Sequence, residues 1–195
     1  MDDPKATLQR YLQVARDAMV WKLDGLAEYD LRRPLTPTGT NLLGLVKHLA
    51  VTEAGYLGAV FDRPLPDPPA YFDVDSAEPN TDMWATPDES SEWVLDLYRR
   101  VWAHDDATIA ELALDAPGRV PWWGDRGDVT LHRILVHVID ETSRHAGHAD
   151  IVRELIDGAA GLRREVPNMA SDDAGWWADY RARVEDAAAT FREGV

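Results

Sequence analysis

The stretch His137-Val138-Ile139-Asp140-Glu141-Thr142-Ser143-Arg144-His145-Ala146-Gly147-His148-Ala149-Asp150 reads as the middle of a long helix. His137, Glu141, His145 and His148 follow one another at spacings of four, four and three. At ~100° per residue they fall within about 80° of one another. Ile134 and Val152 lie on the same stripe, above and below. An apolar face is therefore interrupted by four groups able to bind metal. Burying such groups unpaired is costly, most of all for a carboxylate. A divalent cation satisfies them, because Glu and His at i, i+4 have Cβ atoms roughly 6 Å apart and both reach one ion.

A further ligand must come from another helix. His48 is the best candidate, since it borders an otherwise apolar run from Leu42 to Leu49. Two imidazoles and a carboxylate, without thiolate, suit zinc first, and also nickel, manganese or ferrous iron. Three protein ligands leave a position open for water or substrate, the pattern of a catalytic site. Each residue also has a purely structural reading. A Glu-x-x-x-His pair is common on solvated helices, His137 suits an ordinary half-buried histidine, and His148 suits an N–H donor to backbone. His104 and His132 read as surface or core-edge residues.

Working outward, Thr130 caps this helix and Gly158 ends it, giving residues 130–157. A first helix is predicted over residues 4–29, with Asp3 as cap and Pro4 at its first position. Leu8, Leu12, Ala15, Met19, Leu23 and Leu26 mark its apolar face. A second is predicted over 41–61, capped by Thr40. Gly44, Gly55 and Gly58 weaken it and point to close packing. A third is predicted from Pro87 to about residue 112, because Thr86-Pro87-Asp88-Glu89 has the form of a capping box. The connections 62–86 and 113–129 are too long for simple up-down wiring and permit two neighbouring helices to run parallel. Ser171-Asp172-Asp173 opens a last helix carrying Trp176, Trp177 and Tyr180. The expected architecture is an all-α four-helix bundle over residues 1–160, with a loop and extra C-terminal helix over 161–195 packed upon it.

The chain has 195 residues and a formal net charge of −15. That field repels phosphate, and no basic patch offsets it, so nucleic acid and anionic membrane surfaces are not expected partners. No apolar run reaches the ~18 residues of a membrane span. The opening MDDPKATLQR reads as neither a signal nor a transit peptide. There is no cysteine, which excludes disulfides, zinc–thiolate sites and a cysteine nucleophile, and is compatible with a reducing cytoplasm.

Gly44-Leu45-Val46-Lys47-His48-Leu49-Ala50 together with Glu141 to Asp150 resembles the DinB/YfiT-like superfamily, and more narrowly its actinobacterial branch. The likeness covers roughly residues 5–160. It implies a four-helix bundle of up-down-down-up order. It also implies a metal site on His48, Glu141 and His145, with His148 standing where many members have glutamine. Many members have histidine at the position of Glu141; the mycothiol-dependent maleylpyruvate isomerase branch has glutamate there.

Several relatives use bacillithiol, glutathione or mycothiol. The resemblance therefore implies a cytoplasmic thiol-dependent S-transferase or isomerase, with a low-molecular-weight thiol and an electrophile as its small-molecule partners; homodimers are common in the superfamily. A cation held there would supply the Lewis acidity that keeps a thiol as thiolate near neutral pH, the nucleophile for an epoxide, activated alkene or halide. The chain has no sulfhydryl of its own, so the sulfur must come from outside. His148 or His137 then orients ligands or shuttles a proton. Trp122, Trp123 and Trp84 offer flat surfaces for the sugar and inositol of mycothiol, or else fill the core and clamp the tail helix. Arg119 and Arg126 flank the Trp pair and can meet an acidic substrate or simply be solvated. The rival readings are a hydrolase using metal-bound hydroxide and a metal- or ligand-binding bundle without turnover.

Overall fold

A computed structural model of the chain describes residues 3–73 and 76–192. Helix α1 (Pro4–Trp21) begins as expected: Pro4 holds the first position and the Asp3 side chain accepts from the Lys5 N–H. It stops at Trp21, well short of residue 29. The chain turns there through Gly25 at φ 76°, a conformation glycine adopts without strain, and restarts as the short α2 (Glu28–Arg32).

Helix α3 (Leu42–Glu53) is capped by Asn41, one residue after the predicted Thr40, with Asn41 Oδ1 accepting from the Gly44 N–H at 2.7 Å. Beyond Glu53 the helix widens into a π turn (Ala54–Gly58) and then tightens into a 3-10 turn (Ala59–Phe61). The predicted helix thus reaches Phe61 but changes pitch on the way. Helix α4 (Ser91–Glu111) starts later than the capping-box motif predicted, with the Ser90 hydroxyl accepting from the Trp93 N–H. The Thr86–Glu89 pair still forms half of such a box: Glu89 Oε2 accepts from the Thr86 N–H at 2.7 Å, closing a turn before the helix.

Strands β1 (Pro117–Arg119) and β2 (Asp128–Thr130) form a two-stranded antiparallel ribbon around a 3-10 segment (Pro121–Arg126) that carries the Trp pair. Helix α5 (Leu131–Asp157) is capped by Thr130 and ends at Gly158, φ 77°, as predicted. Helix α6 (Ala174–Ala189) is present, with Asp173 as cap, but buries none of its residues. Its Trp176 and Tyr180 rings stack, and Trp177 meets both edge-on. The packing on the bundle expected for 161–195 is therefore not carried by buried residues of α6. The preceding loop is tied to α1 by Lys22, whose Nζ donates to the Gly161 carbonyl. Among the described residues no helix is long and apolar enough to cross a membrane.

Pairwise contacts give the helix directions. Lys5 at the start of α1 donates to the carbonyls of Ala110 and Leu112 at the end of α4, so these run antiparallel. Lys47 pairs with Glu89 and Glu53 with Tyr98, so α3 and α4 run parallel. His48 meets Glu141 and His145, while Tyr56 meets the earlier His137, so α3 and α5 are antiparallel. The order is up-down-down-up, and the parallel pair accounts for the long connection between α3 and α4. Two apolar clusters fill the bundle, one around Met19, Leu49 and Val101, the other around Leu12, Leu57 and Ile109. In chain order, Arg16, Glu53 and Asp105 fall between these clusters on three helices, and all three are fully buried.

Candidate metal centre

Local sequence places each donor. The uninterrupted α5 brings Glu141 and His145 onto one face, one turn apart, with Glu141 Oε1 3.1 Å from His145 Nε2. Antiparallel α3 brings His48 opposite: its Nε2 lies 3.6 Å from Glu141 Oε1, and its ring meets that of His145 edge-on at 4.9 Å. Each of the three residues offers a donor atom, and all the offered atoms lie within 4.8 Å of one another. All three side chains are half-buried. Two imidazole nitrogens and one carboxylate oxygen at this separation form a donor set that fits zinc and the neighbouring first-row divalent cations.

The electrostatics follow from burial and mutual contact. Burial draws the His48 imidazolium down, but the hydrogen bonds and charges of Asp82 and Glu141 outweigh it and hold His48 above the usual histidine range. Burial pushes Glu141 up, yet the charge and hydrogen bond of His145, with those of His48, bring it below the usual carboxylate range. Burial and the charge of His48 lower His145, more than Glu141 restores. The three contacts thus favour the anionic form of Glu141, and they shift the two imidazoles in opposite directions, His48 up and His145 down.

The site opens on a cavity of about 670 Å³. Val51, Tyr56, Leu65, Phe72 and Trp122 supply apolar wall, while His48, Asp82, His137 and Glu141 supply polar groups. Among the described residues no lysine or arginine lines it. The π turn after Glu53 carries Tyr56 into the lining, an irregularity of the sort that accompanies functional positions. Tyr56 is met edge-on by His137 at 4.6 Å, and its hydroxyl accepts from Trp122 Nε1 at 3.2 Å.

The other predicted residues fall at different distances from the cavity. His137 and Trp122 line it. Trp123 does not, but packs against His137 at 4.9 Å and Tyr56 at 5.7 Å, holding them from behind. His148 is exposed, with Nδ1 3.4 Å from His145 Nδ1, so it borders a donor without entering the cavity. The Arg126 side chain is exposed and outside the lining; its carbonyl accepts from Arg133. Arg119 pairs with Asp128, and Trp84 is exposed with its carbonyl bound by Lys47.

Sequence reasoning missed Asp82 and Phe72, which reach the cavity from the connection between α3 and α4. Asp82 is one of 35 acidic residues and sits in no periodic segment, so nothing local distinguished it. Asp82 Oδ2 lies 2.6 Å from His48 Nδ1.

The model of the mycothiol-S-transferase family matches residues 7–158. No curated protein matches. Among known structures, a conserved protein of Enterococcus faecalis superposes with a TM-score of 0.65 at 15% identity, over 82% of this chain and all of the other, which shows a shared fold. On the match over most of its length, the chain belongs to the mycothiol-S-transferase family, within the DinB/YfiT-like superfamily.

Proposed function

We propose that the protein is a metal-dependent S-transferase that joins a low-molecular-weight thiol of the mycothiol type to an uncharged electrophile in the cytoplasm. The observation that carries this reading is the convergence of His48, Glu141 and His145 beside an apolar cavity, in a chain of this family. His48 Nε2, Glu141 and His145 would hold the cation, with zinc the first choice for such donors. A cation held there supplies the Lewis acidity that keeps an external thiol as thiolate near neutral pH.

The chain's own groups do the rest. The apolar wall of Val51, Leu65 and Phe72 excludes water and receives the electrophile. His137, edge-on to the Tyr56 ring, is placed to take up or return a proton within the cavity. His148 is placed to steady the His145 ring. The lining offers no lysine or arginine to pair with a thiol that carries carboxylates, such as glutathione, whereas Trp122 offers a flat face to one that carries sugar and inositol rings.

The test is an assay on protein purified without a His-tag, stripped by chelator and reloaded with zinc. Mycothiol and a neutral alkyl halide or epoxide are added, and thiol consumption and the S-conjugate are followed by mass spectrometry. Conjugate formed only when both zinc and thiol are present is the expected result. Product formed without thiol would identify a hydrolase instead. Ligand binding with no product would identify a binding protein.

A further inference from the structure

We propose that Asp82, in the connection between α3 and α4, is a positioning residue of the metal site, holding the Nδ1–H of His48 so that Nε2 is the atom presented to the ion. The inference rests on the metal reading of His48, Glu141 and His145.

The contact is short and directional, with Asp82 Oδ2 2.6 Å from His48 Nδ1. An ionised carboxylate only accepts hydrogen bonds, so the ring proton belongs on Nδ1. Nε2 is then left with its lone pair, on the side facing Glu141 Oε1 at 3.6 Å. A ring restrained in this way loses less freedom on coordination and is a more basic ligand.

The turn that carries Asp82 (Thr81–Met83) is seated on α3 itself. Asn41 Nδ2, at the helix cap, donates to the Met83 carbonyl at 3.1 Å. Lys47, the residue before His48, donates from Nζ to the Trp84 carbonyl at 3.0 Å and to Glu89 at 2.9 Å. Lys47 is fully buried, and its Nζ also lies 4.0 Å from the Tyr71 ring centre. Between these two donors on α3 lies Gly44, where a Cβ would come 1.8 Å from the Met83 oxygen. Only a glycine lets the turn lie this close. Arg32 of α2 grips the next stretch through the carbonyls of Ala85, Thr86 and Glu89.

One helix therefore carries both His48 and the clamp that holds the partner of His48. The buried Lys47 ammonium finds both a carbonyl and a carboxylate in the connection that carries Asp82, so its desolvation is compensated only while that connection stays in place. The register of Asn41, Gly44, Lys47 and His48 spans two turns of α3, so the clamp and the ligand are fixed to one another by the helix. Aligning a metal-site carboxylate needs just this rigidity.

The experiment pairs Asp82→Ala with Asp82→Asn, using two readouts. Zinc affinity is measured by competition with a chromophoric chelator. The His48 tautomer is read from long-range 15N–1H spectra of metal-free protein, at a pH where its ring is neutral. Thermal melts confirm that each variant is folded. Asp82→Ala is expected to weaken zinc about 10–100-fold and to shift the ring proton off Nδ1. Asp82→Asn keeps an oxygen acceptor and is expected to fall between Ala and wild type.

Zinc bound as tightly by Asp82→Ala as by wild type overturns the inference, and so does a wild-type His48 that carries its proton on Nε2. If Asp82→Ala does not fold, the Asn variant decides: undiminished affinity overturns, weaker affinity supports. If the wild type binds no zinc, the metal reading itself fails. The spectra then still decide whether Asp82 sets the His48 tautomer.

Discussion

His48 of α3 faces Glu141 of α5 across 3.6 Å, and the same Glu141 oxygen lies 3.1 Å from His145. One carboxylate oxygen thus meets imidazoles from two helices, and its removal would leave two rings facing each other with no carboxylate between them. Residues that only orient metal ligands cost about 10–100-fold in affinity when removed. Glu141→Ala and His145→Ala are each expected to exceed the upper end of that range. Equilibrium dialysis with metal analysis, on protein free of a His-tag, measures it. Full occupancy in both variants would end the three-ligand proposal.

Glu53 ties three helices together from within the core. Its Oε2 accepts from Arg16 Nε at 2.8 Å, and its Oε1 accepts from the Tyr98 hydroxyl at 2.6 Å. Arg16 is wholly buried. Glu53→Ala takes away the buried counter-charge of that guanidinium and leaves it the partly exposed Asp106, 2.9 Å from Nη1, so it should cost about 3–5 kcal/mol in a urea melt. Joint replacement of Arg16 and Glu53 by Met and Leu should cost much less, because no lone charge remains. A single variant as stable as wild type would show that water relieves the charge.

Asp105 is buried, and its Oδ2 has no hydrogen-bond partner among the described residues. Burial, then the charge of Glu53, pushes its carboxyl well above the usual range against the pull of Arg16. The folded state therefore binds this proton more tightly than the unfolded chain does. Its contribution to stability is complete below the unfolded value near 3.8 and is lost as pH rises through the folded one. Asp105→Asn, neutral throughout, should be more stable than wild type at pH 7 by roughly 1–3 kcal/mol. The gain should shrink toward pH 4. Melts across that range check both the sign and the slope; a gain independent of pH would refute the account.

Gly44→Ala places a methyl where the Met83 carbonyl now sits. The turn must retreat or the helix must bend, at a cost of about 1–3 kcal/mol. Gly147, also within a long helix, has no atom within 4 Å of its added Cβ. Gly147→Ala should instead be neutral or stabilising by up to about 1 kcal/mol. The two midpoints, measured side by side, separate close packing from helix propensity.

Trp122 is more than half exposed, yet it lines the cavity and donates to Tyr56. Trp122→Ala should leave the melting temperature nearly unchanged. It should raise the KM for mycothiol about 2- to 10-fold, in keeping with ~0.5–1.5 kcal/mol for an aromatic contact, with kcat held. A fall in kcat at constant KM would give Trp122 a role in the transition state instead.

Periodicity explains which parts of this structure were legible in advance. The stripe on α5 depends only on residues within two turns of one another, so Glu141 and His145 are placed by helix geometry alone. The caps Asp3 and Thr130 and the stop at Gly158 are equally local. The break at Gly25 was hidden because Leu23 and Leu26 continue the apolar spacing through it; both still pack against the core from a turn. The late start of α4 was hidden because Thr86–Glu89 makes the hydrogen bond of a capping box while Lys47 pulls Glu89 away from the helix.

Sequence by itself determined an acidic helical bundle, the two donors on α5, and His48 as the imidazole set into an apolar run. Tertiary structure alone decided that these donors meet, that Tyr56 turns into the cavity while Arg126 stays outside, and that Asp82 stands behind His48. The division is one of range. Helix spacing is written in neighbouring residues, whereas Asp82 is placed by contacts from Asn41, Gly44 and Lys47, about forty positions earlier in the chain. A loop has no period from which such a partnership can be read.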